Sequence, residues 1–152
     1  PQTAMKKLLL AASVLLLMIT VQSCGEKEKL NADQPAANAP AAAAAAMPAV
    51  SITMDAAHIE AGHAIYHSTC APCHGEGGKG DGPAAAALNP KPRDHTNGAY
   101  MDTLSNAHLF AAIKNGGAQF GYPTMPAQPQ LADDSIKCVI AFVRSLSKTY
   151  KP

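Results

Sequence analysis

Tryptophan is absent from the 152 residues, phenylalanine occurs three times, tyrosine four times, and much of the 47% apolar content is alanine. A chain so poor in bulky side chains builds a thin core. Domains of about 100 residues bury a smaller share of their surface than larger ones and often lean on a disulfide, a metal or a cofactor. The missing stabiliser is to be sought among the four cysteines. Neither sign of charge prevails, since residues 25–152 carry ten Lys or Arg against eleven Asp or Glu, a net of −1. The basic stripe with interleaved aromatics that nucleic-acid binding requires is missing, so no nucleic-acid partner is expected. No segment alternates apolar and polar residues for long enough to suggest a strand, which leaves an all-α domain.

Long hydrophobic runs are also scarce. Residues 5–24 read MKKLLLAASVLLLMITVQSC, with two lysines, an apolar run over residues 8–21 and a small residue before a cysteine. That run is 14 residues long, short of the roughly 20 that span a bilayer as a helix. It reads as the h-region of a secretory leader over residues 1–24. Val21-Gln22-Ser23-Cys24 resembles a bacterial lipobox, with Gln22 where a small or apolar residue is usual. The resemblance implies lipidation of Cys24 and a membrane-anchored lipoprotein on the periplasmic or cell-surface side. Ordinary cleavage and an uncleaved anchor are the alternatives. Pro1–Ala4 read as an upstream extension or a misplaced start.

Residues 25–54 pass from a charged EKEK patch into an Ala/Pro stretch and are expected to be a flexible linker, since nothing there can form a core. The folded domain is expected over residues 55–152. Asp55 is a plausible N-cap, and Ile59, Gly62, Tyr66, Thr69 and Cys73 recur on one helical face. The GEGGKGDGP and NPKPRD stretches exclude long regular structure for about twenty residues. A second helix is predicted from about Ser105 to Asn115, with Leu109, Phe110 and Ile113 inward and Gly116-Gly117 at its end. A third opens at Asp133-Asp134 and carries Ile136, Val139, Ile140, Val143 and Leu146 as an apolar stripe. Loops this long in so small a domain point to wrapping around a large internal ligand.

Cys70-Ala71-Pro72-Cys73-His74 is C-x-x-C-H, the signature of haem attachment. Positions i, i+3 and i+4 of a helical turn share one face, so both thiols can form thioethers at one porphyrin edge while His74 reaches the iron. A structural zinc site would need a second C-x-x-C or a matching His pair, and a thioredoxin-type pair would need a preceding strand; neither is present. A simple disulfide would leave His74 and the glycine-rich run without a purpose. His63 and His67, with His58 on the same helix, have a spacing that could bind a metal, but a third ligand is lacking.

Taken together, Gly62, Tyr66, Cys70 to His74, the GDGP segment at 80–83, Pro123-Thr124-Met125-Pro126 and the closing CVIAFVRSL resemble the class I cytochrome c family over about residues 55–148. The resemblance implies three to five helices wrapped around one covalent haem c, with the first and last helices crossing at Gly62 beside Tyr66 and Phe142. It further implies that His74 and Met125 are the axial ligands of the haem iron. Pro83 would offer its carbonyl to the His74 ring, fixing its orientation. Rivals for the second axial position are Met101, read as loop packing, His108, read as a helix-surface residue, and His95, read as a polar loop residue. Arg93 could reach a haem propionate or remain a solvated loop charge. Cys138 has no evident pairing partner and reads as a small buried helix residue.

No catalytic constellation is discernible, so the chain reads as a monomeric electron carrier and not an enzyme, passing single electrons between redox proteins outside the cytoplasm. A haem-based gas or ligand sensor and an electron-entry subunit of a membrane oxidoreductase complex are the alternatives.

Overall fold

Five α-helices and no strand occur among the described residues, 47–151, of the computed structural model. These residues fall within one unit, Asn31–Pro152. The expected leader, Cys24 and most of the expected linker lie outside them. No helix among the described residues is long and apolar enough to cross a membrane.

Asp55 opens helix α1, Ala56–Thr69, with its carboxylate accepting the His58 backbone N–H at 2.8 Å. Such a cap contributes about 1 kcal/mol. Helix α2 is the single turn Ala71–His74, and α3 the single turn Gly98–Met101. Four residues are too few to leave a periodic signal, so α3 is not legible in the sequence. Helix α4 is Asn106–Asn115, capped by the Ser105 hydroxyl on the His108 N–H, and α5 is Asp133–Leu146. Short 3₁₀ turns at Ala85–Ala87 and Ala118–Phe120 punctuate the loops.

The core forms where α1 crosses α5. Tyr66, Met101, Ile136, Val139 and Ile140 are its largest fully buried side chains. At the crossing, a Cβ on Gly62 would land on the Cys138 carbonyl and against the Phe142 Cβ. The two backbones therefore touch with no room for a side chain. Phe142 packs against Tyr66, with ring centroids 4.9 Å apart, and Cys138 is partly buried in the same seam.

Arg144 is the feature of α5 that its apolar stripe conceals. Only 2% exposed, it donates from one terminal nitrogen to the Met101 carbonyl at 2.7 Å, from the other to the Leu104 carbonyl at 2.5 Å, and from Nε to Asn106 Oδ1 at 3.0 Å. It thereby closes the α3–α4 turn onto α5, adding a second donor to the Met101 carbonyl, which already accepts from Leu104 N–H at 3.2 Å, and one to the Leu104 carbonyl. Its spacing of four residues from Ile140 and eight from Ile136 was the available signal for an inward position. Replacing Arg144 with methionine keeps the bulk but removes its three hydrogen bonds, and is expected to cost about 3 kcal/mol. Urea denaturation checks this, and an unchanged midpoint would remove the clamp.

Candidate functional site

Helix α1 does not run straight into α2. Cys70 stands between them at φ −107° and ψ −37°, its N–H donating to the Tyr66 carbonyl at 2.7 Å. The α2 turn then closes on it, with Cys73 N–H to Cys70 O at 3.1 Å and His74 N–H to Cys70 O at 2.9 Å. Pro72 sits in the first turn, where the N–H it lacks would have no helical partner. Gly75, at φ 77°, stops the turn. Cys70, Cys73 and His74 are thus carried on one tight turn, and both cysteines are free thiols. Burial, assisted by the neighbouring Cys73, pushes the Cys70 thiol up to about 11, so it is neutral at neutral pH.

These three side chains line a cleft that encloses about 1180 Å³ of atom-free space, its open mouth included. Its walls are mostly apolar and include Leu104, Leu109, Ile113, Val139, Ile140 and Val143. Met125 reaches the same cleft from the loop between α4 and α5, where it is tied down at both ends. Its N–H donates to the Tyr122 carbonyl at 3.0 Å, and its carbonyl accepts from Gly117 N–H at 3.0 Å.

His74 is oriented from below. Its Nδ1 lies 3.1 Å from the Arg93 carbonyl, which can only accept, so Nδ1 carries the proton and Nε2 keeps its lone pair for a metal. Burial lowers the His74 pKa from its ordinary value, with the hydrogen bond to Arg93 partly opposing the effect. This acceptor corrects the expectation for Pro83, which is exposed and does not line the cleft. The reason is the path of the loop. Gly82 packs against the Ala71 and Pro72 carbonyls, and Ala84 N–H donates to Pro72 O at 3.0 Å, so residues 82–84 run along the back of α2. The later strand of loop, anchored by His95 N–H to Gly78 O at 2.6 Å, passes beneath the ring instead.

The rivals for the second axial position also line this cleft, but in different roles. Met101 is 1% exposed and belongs to the core cluster. His95 is stacked on the His74 ring, centroids 4.3 Å apart, and so lies on the same side of any metal that His74 would bind. His108 is 8% exposed and packs on Phe120 at 4.0 Å, which corrects its reading as a helix-surface residue. It falls on the inner face of α4 with Ala107 and Ala111, a position that small neighbours disguise in the sequence. Arg93 is no solvated loop charge: its guanidinium lies 3.8 Å from the Tyr100 ring centroid and 4.8 Å from that of Tyr122, within the cleft wall. Outside the cleft, His67 pairs with Glu76 at 3.3 Å and His63 packs on Phe142. No group of three His, Cys, Asp or Glu among the described residues is placed to hold a metal ion.

The donor set fits a covalently held haem. Two free thiols, an imidazole with its Nδ1 already engaged and a thioether converge on one mostly apolar cleft.

Two histidines, the buried His108 and the partly buried His95, make the fold acid-sensitive. Burial holds His95 well below the ordinary imidazole value of 6.5, reinforced by His74 and Arg93, and burial lowers His108, reinforced by Arg144. The unfolded chain therefore binds more protons than the folded one below 6.5. Stability is fully present above that value and declines as pH falls through the lowered folded values. The slope is at most about 1.4 kcal/mol per pH unit for each imidazole. Melting temperatures taken from about pH 7.5 to about pH 5 are expected to fall monotonically, and a flat profile would contradict the burial of both rings.

The chain matches the family model described as Cytochrome c over residues 59–147. Among solved structures, a chain of the Kuenenia stuttgartiensis reducing HAO-like protein complex Kustc0457/Kustc0458 is 28% identical to it, with a TM-score of 0.52. The match covers 66% of this chain and 50% of that one, so this chain spans about half the length of the relative.

Proposed function

Because the chain belongs to the cytochrome c family, we propose that it is a mono-haem electron carrier, with Cys70, Cys73, His74 and Met125 as the residues that hold the haem. One observation carries this reading: all four side chains line a single apolar cleft, and the His74 Nδ1 is already occupied by a carbonyl. A bound haem c supplies the one-electron chemistry of its iron.

The residues contribute the rest. Cys70 and Cys73 would hold the haem covalently, each thiol as a thioether. His74 offers Nε2, its basicity raised by the hydrogen bond to Arg93 O. Met125 would hold the iron through a soft thioether, a donor that would favour the reduced metal and raise the potential relative to a second imidazole. The aliphatic walls exclude water, and Arg93 places positive charge in the cleft wall where a propionate would be neutralised.

The mouth suggests how partners dock. Residues 115–132 contain no Asp, Glu, Lys or Arg, and most of residues 118–130 are exposed. Redox proteins meeting this rim would not be steered by local charge. We assign the chain to the outside of the cytoplasm, tethered by lipid at Cys24, on the strength of the leader-like residues 5–24. A second reading, an electron-entry module of a larger oxidoreductase complex, is favoured by the likeness to a chain of the reducing HAO-like complex.

Met125→Ala tests the axial assignment. The oxidised variant is expected to lose the far-red sulfur-to-iron band and the reduced variant to bind carbon monoxide readily, whereas the parent protein shows the band and resists the gas. A parent protein that lacked the band and bound carbon monoxide would favour a ligand sensor.

A further inference from the structure

Attachment chemistry does not require a second imidazole lying flat against the first. The His95 ring stacks on the His74 ring with planes 19° from parallel. It is held there from its outer edge. The His95 Nδ1 lies 3.4 Å from the hydroxyl of Tyr66, a fully buried residue whose ring meets it edge-on at 67°. The same hydroxyl lies 3.2 Å from the Gly75 carbonyl.

The hydroxyl has a single proton, so it donates to only one of these two partners. A carbonyl can only accept, so Tyr66 donates to Gly75 and the His95 Nδ1–H donates to the Tyr66 oxygen. The resulting chain runs from His95 through Tyr66 to Gly75, the residue that follows His74. On the other side, His74 donates its own Nδ1–H to Arg93, two residues before His95. His74 is therefore gripped at an edge by a hydrogen bond and on a face by a ring. The hydrogen bond alone restrains Nδ1 but lets the ring rock about its Cβ–Cγ bond. A flat neighbour, itself pinned, removes that freedom.

We propose that His95, braced by Tyr66, is a positioning residue that sets the plane of the His74 imidazole; this rests on His74 being an axial ligand as argued above. The plane of an axial imidazole governs which iron orbital holds the unpaired electron of the oxidised low-spin state. It is therefore read in the proton NMR shifts of the haem methyl groups, which a purely structural role at His95 would not move.

The test uses the full chain carrying its haem, with His95→Phe, His95→Leu and Tyr66→Phe. A pyridine haemochrome measurement comes first. Absence of covalent haem in the parent protein defeats the proposed function itself, whereas equal haem content across the set isolates the brace. Leucine fills the space without a flat face and is expected to displace or re-order the haem methyl resonances on the ppm scale. Phenylalanine keeps the face and is expected to stay close to the parent pattern. Tyr66→Phe removes only the hydroxyl and should give a smaller displacement in the same direction as leucine. A leucine spectrum superimposable on the parent's, or equal displacement by leucine and phenylalanine, overturns the proposal. Should His95→Leu fail to load haem, an unchanged methyl pattern in Tyr66→Phe overturns it as well.

Discussion

Gly62→Val is expected to abolish stable folding, with a cost on the order of 4 kcal/mol or more against a total stability of only about 5–15 kcal/mol. The new Cβ would coincide with the Cys138 carbonyl, which is backbone and cannot swing aside as a side-chain tip could. Helices α1 and α5 would have to separate, and that contact buries Tyr66, Ile136, Val139 and Ile140. Adding bulk to an ordinary core typically costs about 1–3 kcal/mol because neighbours yield. Here nothing at the contact can. Circular dichroism melts and yield of soluble protein provide the measurement. Gly62→Ala should fall between, and a valine variant melting with the parent protein would mean the helices do not cross at this residue. The variant leaves Cys70, Cys73 and His74 untouched, so any loss of coloured protein traces to the fold.

The second large effect concerns the attachment itself. Cys70→Ala combined with Cys73→Ala is expected to lose essentially all haem that survives acid–acetone extraction of the denatured protein, whereas the parent chain, matured in a competent host, should keep its pigment. Each single variant should retain one thioether and shift the pyridine haemochrome band toward that of unattached haem. The double variant still has His74, Met125 and the apolar cleft and could bind haem reversibly, so the extraction step is what makes the comparison decisive. The motif is also the seam between α1 and α2, but Cys70 makes no side-chain cap hydrogen bond and Cys73 lies within the turn, so alanine removes no cap at either position. Far-ultraviolet circular dichroism should show helix content near that of the haem-free parent chain. A parent protein that extracts colourless would remove the basis for the function proposed.

The helices legible in the sequence are those with a period and a cap. Asp55 and Ser105 start α1 and α4 with side chains that each accept one backbone N–H, and the α5 stripe is long enough to declare a buried face. Arg144 was not legible as a core residue because its charge argues for solvent, and only three acceptors converging from a turn some forty residues upstream make its burial favourable. His108 was hidden for a related reason: burial of a polar ring depends on what covers it, here Phe120 from a loop beyond the helix. Pro83 shows the opposite case, where a matched motif pointed to the wrong carbonyl because the close approach of Gly82 to α2 diverts the loop.

The C-x-x-C-H spacing by itself pointed to the attachment chemistry proposed, because two thiols and an imidazole on one turn depend only on local helical geometry. Composition likewise indicated that so thin a core leans on a stabiliser beyond its own side chains. Tertiary structure alone decided which residues stand behind His74, since Arg93 and His95 are brought to it by a loop path that no local periodicity encodes. Contacts between residues near in the chain are set by backbone geometry, whereas those between distant residues are set by how every element packs at once.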